Sequence, residues 1–193
     1  MKKYKNIVVF DFDGTLIKKD SIKLYCKWLS FNIIEYYLIY HVWFRFLKIF
    51  NSKLDLKFER VKFYYKRHKE YNFEIQKFNN ILSDNLFEDS LEILKINKSK
   101  FDIYIVSASF YEIISSFCLT QLGVNLISNN LKAYNTLNDI NYKNKVSALN
   151  LDIKNDYKIV KAYGNSSGDY DFMRISKIAY LRKKSGENII WQK

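Results

Sequence analysis

The sequence contains no proline and only two cysteines among its 193 residues. Cys26 and Cys118 stand in neither a paired nor a metal-binding spacing, which argues against a disulfide framework and against a cysteine metal site. We interpret both as small buried hydrophobic residues, with a lone catalytic thiol as the alternative. So few cysteines, without pairing, predict a reducing, cytoplasmic setting.

A long apolar run is missing from the start of the sequence. The first lysines are followed by only four apolar residues, 7–10, before an acidic stretch begins. That run is too short for the hydrophobic region of a signal peptide. Internal repeats and low-complexity linkers are absent as well, and the length suits one domain or a core with a small insert.

Acidic residues are in the minority, 20 against 32 lysines and arginines, which gives a formal net charge of +12. A nucleic acid, an anionic lipid or a phosphorylated substrate would each fit this charge. The lysines are scattered, however, and no nucleic-acid-binding motif is present. The many Lys, Asn, Ile and Tyr residues resemble a genome-wide compositional bias. We therefore predict no nucleic-acid partner.

Residues 20–82 contain no glycine, and apolar residues recur there at helical spacing. This pattern predicts helices, with Asp20 as the N-cap of the first. From about residue 86 the pattern alternates between helix and strand, which predicts a parallel sheet with helices on both faces. Strands are predicted at 7–10, 101–106, 124–127, 157–163 and 178–181, and a helix at 111–122 that Gly123 ends.

The first apolar strand runs into the stretch DFDGTL at residues 11–16. Because side chains alternate along a strand, Asp11 and Asp13 point to the same side, where like charges repel unless a cation or a reacting group uses them. An acidic turn is the alternative interpretation. The stretch resembles the first motif of the haloacid dehalogenase superfamily of phosphohydrolases.

Two further segments resemble the second and third motifs of that superfamily. An apolar strand that ends at Ser107 resembles the second, whose hydroxyl and following backbone N–H bind phosphoryl oxygens. Ser107 or Ser109 would also suit the N-cap of the next helix. Lys145 precedes a helical pattern and resembles the third motif, with Lys143 as its competitor. The resemblance implies that this ammonium neutralises the attacking carboxylate and a phosphoryl oxygen.

The stretch YGNSSGDYDFM at residues 163–173 resembles the fourth, metal-binding motif. The superfamily usually has Asp directly after the first glycine, where this sequence has Asn165, and Asp169 stands in the second acidic position. Asn offers a carbonyl oxygen without charge, which still binds Mg²⁺. Which of the two ligates the metal directly, and which holds a metal-bound water, stays open. A surface loop is the alternative interpretation.

The resemblance implies a Rossmann-like α/β fold and Mg²⁺-dependent phosphomonoester hydrolysis. Mg²⁺ would be held by Asp11, the backbone carbonyl of Asp13, and Asn165 or Asp169. Asp11 would attack phosphorus to form an aspartyl phosphate, with Asp13 as general acid and then base. The phosphoryl group would be bound or neutralised by Lys145, Ser107, Gly14, Thr15, Ala108 and Ser109.

Residues 20–82 resemble the helical C1 cap of the phosphoserine-phosphatase-like branch, subfamily IB, inserted into a core of residues 1–19 and 83–193. A cap excludes water and recognises the leaving group. Asp20 lies at the base of this insert, where some relatives carry an acidic residue that meets a substrate amine. The metal loop departs from that of true phosphoserine phosphatases. We therefore expect a small soluble phosphorylated alcohol, amino alcohol or sugar as substrate.

Residues 31–50 suggest an alternative substrate. His41, Arg45 and Lys48 form a narrow stripe on an otherwise apolar helical wheel. The charges make this a poor membrane-spanning helix, but it would suit a peripheral membrane contact and a phosphatidylglycerophosphate-type lipid phosphatase. We favour a cap helix whose stripe faces solvent or the cleft. A third interpretation, from another class, is an inactive basic binding protein in which Asn165 is the lesion.

Overall fold

The computed structural model describes residues 4–32, 56–70, 74–131, 140, 145–153 and 156–192. Its centre is a six-stranded sheet in the order β3-β2-β1-β4-β5-β6. All neighbouring strands are parallel except β5 and β6, which are antiparallel. The strands are β1 (Lys5–Phe10), β2 (Asp102–Phe110), β3 (Asn125–Asn129), β4 (Tyr157–Gly164), β5 (Ile178–Arg182) and β6 (Asn188–Ile190).

Helices cover both faces of this sheet. A π-helical segment, Ser116–Gln121, directly follows the helix that ends at Ser115, and a 3₁₀ turn, Ser167–Asp169, directly precedes the helix that begins at Tyr170. The helices in the described part are α1 (Ser21–Asn32), α2 (Leu56–Glu70), α3 (Ile75–Asp84), α4 (Ser90–Lys98), α5 (Tyr111–Ser115), α6 (Lys145–Asp152) and α7 (Tyr170–Ile175).

The strands alternate their side chains between two hydrophobic clusters. Val8 and Phe10 face the cluster that contains α1 to α5, whereas Ile7 and Val9 face the cluster that contains α6 and α7. Strands buried on both faces read as continuous apolar runs, which is why β1 is fully apolar from residue 7. The predicted class, a Rossmann-like parallel sheet flanked by helices, is therefore confirmed.

The central strand β1 has β2 on one side and β4 on the other. The connection from β1 to β2 runs through α1 to α4 on one face, and α6 packs on the other face before β4. Such a change of face is the place where open α/β sheets bind ligands, at the carboxyl ends of the strands. The residues that follow β1, β2 and β4 therefore meet at one end of the sheet.

Several details differ from the sequence-based predictions. The second strand does not end at Ser107: its pairing with β3 shifts register between Ser107 and Phe110, and the strand continues to Phe110. The helix predicted at 111–122 changes to π-helix at Ser116, and Gly123 with φ +61° follows it. The antiparallel strand β6 was not among the strands predicted from the sequence. Cys26 and Cys118 are free and buried, as predicted.

Helices α1, α2 and α3 confirm the helical character of the described part of residues 20–82. In the parts of the chain that the structure describes, no helix combines the length and hydropathy that crossing a bilayer requires. The predicted stripe of His41, Arg45 and Lys48 lies outside the described residues, as does Lys143.

Candidate active site

Asp11 directly follows β1 and is fixed by the sheet. Its backbone N–H donates to the Tyr163 carbonyl at 2.9 Å, which extends the pairing of β1 with β4 by one residue. Asp11 is 6% exposed, and its carboxylate has a partner on each oxygen. Lys145 Nζ donates to Oδ1 at 2.5 Å, and Thr15 Oγ1 donates to Oδ2 at 3.0 Å. The strand end thus presents a buried carboxylate in one fixed orientation.

The loop after Asp11 turns sharply because three successive amides converge on one carbonyl. The N–H groups of residues 15, 16 and 17 all donate to the Phe12 carbonyl. Gly14 has φ +78°, a conformation that L side chains rarely adopt. A Cβ on Gly14 would also lie 1.9 Å from Asn165 Nδ2. Glycine is therefore needed twice, for the turn and for the approach of Asn165.

Asp13 is held by the first turn of α1 and not by Lys145. The Ser21 N–H donates to Asp13 Oδ1 at 2.8 Å, and Ser21 Oγ donates to Oδ2 at 3.1 Å. Ser21 Oγ also lies 2.8 Å from Ser109 Oγ. The neighbouring Asp20 accepts from the Lys23 N–H at 2.9 Å, which confirms its predicted N-cap role. Sequence reasoning missed Ser21, whose one signal was its place directly after that N-cap.

Lys145 is the first residue of α6, as predicted, and is 5% exposed. Besides Asp11 it donates to Asp169 Oδ1 at 2.7 Å. Its ammonium also lies 5.7 Å from the centroid of the Phe172 ring. One ammonium therefore joins two buried carboxylates from different loops, and the three groups carry a net negative charge.

Asp169 ties together the loop after β4. Its Oδ2 accepts from the N–H groups of Asn165 and Ser166 and from Ser166 Oγ, all at 3.0 Å. A Cβ on Gly164 would lie 2.4 Å from Asp169 Cβ, so glycine makes this close approach possible. With Lys145 on its other oxygen, Asp169 has partners on both sides. Asn165 instead reaches across, and its Nδ2 donates to the Asp13 carbonyl at 3.1 Å.

The second-motif serines do not cap α5. The N-cap residue of that helix is Phe110, which has no side-chain cap hydrogen bond, so the capping interpretation was wrong. The strand continues past Ser107 through a register shift. Within that irregular stretch the Ser107 hydroxyl accepts a hydrogen bond from the Ser109 N–H at 3.0 Å. The Ala108 carbonyl accepts from Asn129 Nδ2 at 3.1 Å. Asn129 was not predicted, since one Asn in an Asn-rich sequence gives no signal.

The site has more buried carboxylates than cations, and burial together with this imbalance raises the pKa of two of its carboxyl groups. Burial first, and then the charge of Asp169, raises the pKa of Asp11 to about 6 although Lys145 opposes the rise. Burial, with Asp20 and Asp11, raises the pKa of Asp13 to about 7. Burial acts to lower the pKa of Lys145, but the attraction of Asp11 and Asp169 outweighs it and raises that pKa. An additional cation would relieve this repulsion.

The donor set around Gly14 fits a hard cation. It offers the Asp11 carboxylate, the Asp13 backbone carbonyl and the Asn165 side-chain amide, and oxygen ligands of this kind are those that Mg²⁺ prefers. The missing Cβ of Gly14 leaves the space that the amide occupies. Among the described residues, no three His, Cys, Asp or Glu side chains are grouped as a metal site would require. A cation here would therefore depend on the carbonyl and amide oxygens.

Residues 8–174 match the family of haloacid dehalogenase-like hydrolases, and the chain belongs to that family. A solved phosphoserine phosphohydrolase-like protein from Francisella tularensis is 22% identical, with a TM-score of 0.53 over 91% of this chain and 85% of that one. An apo phosphoserine phosphatase is 15% identical, with a TM-score of 0.51 over 92% and 85%. A HAD family hydrolase from Salmonella enterica is 17% identical, with a TM-score of 0.54 over 91% and 61%.

A comparison with curated protein sequences gives no match. At these identities the solved structures show a shared fold. Together with the family match they confirm the predicted superfamily and the prediction that the chain is an enzyme of the HAD hydrolase class.

Proposed function

We propose that the protein is a Mg²⁺-dependent phosphomonoester hydrolase that works through an aspartyl phosphate. The observation that supports this most directly is the setting of Asp11: a buried carboxylate at a strand end, bonded to Lys145 at 2.5 Å and to Thr15 at 3.0 Å. A second carboxylate, Asp13, follows two residues later with its own set of partners. Nucleophilic catalysis needs the first group and proton transfer needs the second.

In the proposed reaction an Asp11 oxygen attacks phosphorus while the bond from phosphorus to the leaving oxygen breaks. Asp13 gives its proton to that oxygen, so that an alcohol departs and Asp11 carries the phosphoryl group. Asp13 then takes a proton from a water molecule, which attacks phosphorus and releases phosphate and free Asp11. A pKa of about 7 for Asp13 suits a group that is acid in one step and base in the next.

The phosphoryl oxygens need positive charge and N–H donors as charge moves onto them. We assign charge neutralisation to Lys145, which already joins Asp11 and Asp169. The remaining phosphate-binding groups proposed are the loop and strand-end residues Gly14, Thr15, Ser107, Ala108 and Ser109.

The residues that would hold Mg²⁺ are Asp11, Asp13 through its carbonyl, and Asn165 through its amide oxygen. Mg²⁺ would neutralise charge on Asp11 and on the phosphoryl oxygens. Asp169 has Lys145 on one oxygen and the loop on the other, so we propose that it orients the lysine and the loop while Asn165 is the direct ligand. The Asn165 amide donates to the Asp13 carbonyl here, and a half-turn of the amide would exchange its nitrogen for its oxygen.

We propose that residues 20–82 form a cap on a core of residues 1–19 and 83–193, as in the phosphoserine-phosphatase-like branch. In support, α1 to α3 follow the first motif and pack in the same hydrophobic cluster as the sheet. We propose a small soluble phosphorylated alcohol, amino alcohol or sugar as the substrate. Asp20 remains a proposed contact through its charge, which is close enough to raise the pKa of Asp13.

Neither alternative function is proposed. The lipid phosphatase rests on residues 31–50, of which 33–50 lie outside the described residues. The inactive binding protein would not need Asp11, Lys145 and Asp169 to be joined in one buried cluster, yet they are.

The test is hydrolysis of an aryl phosphate by the purified protein with Mg²⁺, with excess chelator, and by Asp11→Asn under the same conditions. We expect turnover with Mg²⁺ only, none from the variant, and a phosphoryl group on the Asp11 peptide after rapid quenching. A screen of amino-alcohol, sugar and glycerolipid phosphates then ranks substrates. Absence of metal-dependent hydrolysis across that screen would refute the proposed activity, and a strong preference for the glycerolipid would revive the alternative substrate.

A further inference from the structure

Arg182 is a buried arginine that belongs to none of the four motifs. It ends β5, is 4% exposed, and its guanidinium lies 4.6 Å from the centroid of the Phe87 ring. Its Nη1 donates to both Asp89 carboxylate oxygens, at 2.7 and 2.9 Å. Nη1 also donates to the Gly186 carbonyl, and Nη2 lies 3.4 Å from Ser90 Oγ. A charge buried this deeply needs such a set of partners.

A further donor of Arg182, its Nε, points at the first motif. Its Nε donates to the Thr15 carbonyl at 3.2 Å, and Thr15 is 1% exposed. The hydroxyl of the same Thr15 donates to Asp11 Oδ2 at 3.0 Å. Arg182 thus fixes the backbone of Thr15, and the Thr15 side chain holds Asp11, the proposed nucleophile.

Arg182 also lies beside the two segments that link the core to the helical insert, residues 15–20 and 83–90. These linking segments are bonded to each other at several points, including an isolated antiparallel bridge between Ile17 and Leu86. Their other bonds are Lys18 N–H to the Asn85 carbonyl at 2.7 Å, Phe87 N–H to the Leu16 carbonyl at 3.0 Å, and Ser90 Oγ to the Leu16 carbonyl at 3.1 Å. Arg182 contacts one segment at Thr15 and the other at Asp89.

We infer that Arg182 is a positioning residue for the nucleophile. It holds the Thr15 carbonyl against the second linking segment, and Thr15 in turn holds Asp11 Oδ2 in its reactive orientation. This inference rests on the proposed phosphatase activity. It requires arginine and not lysine, because a single ammonium cannot pair with Asp89 and also present a second, fixed donor to Thr15.

The test is a double-mutant cycle with an aryl phosphate as substrate. Arg182→Lys keeps the charge near Asp89 and loses the Nε bond, so we expect kcat to fall about 10-fold with KM changed less than about twofold, since a small misplacement of a reacting group acts on kcat. Thr15→Val removes the hydroxyl bond to Asp11 and lowers kcat by itself. In the Thr15→Val background, Arg182→Lys should then lower kcat less than about twofold.

This non-additivity separates positioning from a general structural role. A variant that merely unfolds in part loses at least as large a fraction of active enzyme in the Thr15→Val background as in the wild-type background, so its effect does not shrink there. Asp89→Asn is the second variant, used if Arg182→Lys does not fold; it leaves Arg182 in place with a weaker partner and should show the same dependence on Thr15. Lys183→Met, at the exposed neighbouring position, is the matched control and should behave as wild type.

Equal losses of kcat in the wild-type and Thr15→Val backgrounds, or wild-type kcat for Arg182→Lys, would overturn the inference while the wild-type enzyme remains active. Absence of activity in the wild-type protein itself would overturn the proposed function, and this inference with it. The two failures are therefore told apart by the wild-type assay alone.

Discussion

Asp11 and Asp13 are two residues apart, yet different parts of the chain hold them. The partners of Asp11, Lys145 and Thr15, belong to the sheet-forming part of the chain. The partner of the Asp13 carboxylate is Ser21, the first residue of α1, which lies in the proposed helical insert. Lys145 opposes the rise in the pKa of Asp11, whereas for Asp13 burial, and then the charges of Asp20 and Asp11, outweigh the hydrogen bonds from Ser21 and raise the pKa.

This difference in partners corresponds to the two proposed catalytic roles, nucleophile and general acid–base. In the proposed mechanism the attacking group, Asp11, is held by residues of the proposed core, and the proton-transferring group, Asp13, is held by a residue of the proposed insert. The raised pKa of Asp13 suits a group that must both give and take a proton.

The largest expected effect is that of Asp11→Asn. An amide has nearly the shape of the carboxylate but is a poor nucleophile, so turnover of an aryl phosphate should fall below detection. Removal of one of two mutually repelling carboxylates should leave the melting temperature unchanged or higher. Activity assays and thermal melts check both parts. Wild-type-like turnover from this variant would be incompatible with a covalent role for Asp11.

Asp13→Asn should lower kcat by about 10²- to 10⁴-fold, the usual contribution of general acid and base catalysis. It also has a pH signature. Because the folded pKa of Asp13 is raised from 3.8 to about 7, the folded state binds more protons than the unfolded state between those values, and stability falls as pH rises through that window. The variant lacks this loss.

In excess chelator, Asp13→Asn should therefore melt higher than wild type at pH 8, by about 5 °C, with a smaller difference at pH 4. Ser30→Ala is a suitable control, since its hydroxyl bonds the Lys27 carbonyl within α1 and away from the site. An equal difference in melting temperature at both pH values would show that Asp13 does not titrate in this window.

Much of this comparison follows from the sequence. The spacing of Asp11 and Asp13 predicts their shared side, and the helical pattern after Lys145 places that residue at a helix start. Both depend on local periodicity, which a single sequence records well. The parallel sheet and the carboxyl-end location of the motifs follow from alternating helices and strands, whereas the order of the strands does not.

The long-range contacts around the site residues could not be predicted from the sequence. Arg182 is one of 32 basic residues, and Ser21 one serine beside a charged N-cap; their roles depend on long-range packing and not on spacing. The continuation of β2 past Ser107 depends on its pairing with β3, since the register shift there is a property of two strands together. The change to π-helix at Ser116 has no counterpart in the sequence pattern.

Asn165→Asp probes the metal side of the comparison. A carboxylate adds a full charge to a hard-cation site, so half-saturation of activity by Mg²⁺ should fall about tenfold. Without metal the new carboxylate faces the Asp13 carbonyl, to which Asn165 now donates, and should lower the melting temperature in chelator. Mg²⁺ should restore it. Unchanged metal dependence of both activity and melting would place Asn165 away from the metal.

The smallest expected effect is that of Ser21→Ala, which tests whether the insert holds Asp13. The variant loses the hydroxyl bonds to Asp13 and Ser109 but keeps the backbone N–H bond at 2.8 Å, so the carboxylate is loosened and not released. We expect kcat to fall about 3- to 10-fold, in line with about 1 kcal/mol for a lost hydrogen bond. Ser30→Ala, in the same helix, should leave kcat unchanged.

Rapid quenching shows which step the Ser21→Ala variant slows. The Asp11 carboxylate is bonded to Lys145 and Thr15, so its attack on phosphorus does not depend on Ser21 directly. If the variant slows mainly the second step, in which Asp13 activates water, the yield of phosphoryl-Asp11 should fall less than kcat. A proportional loss of intermediate would instead place the effect of Ser21 on the first step, where Asp13 gives its proton to the leaving oxygen.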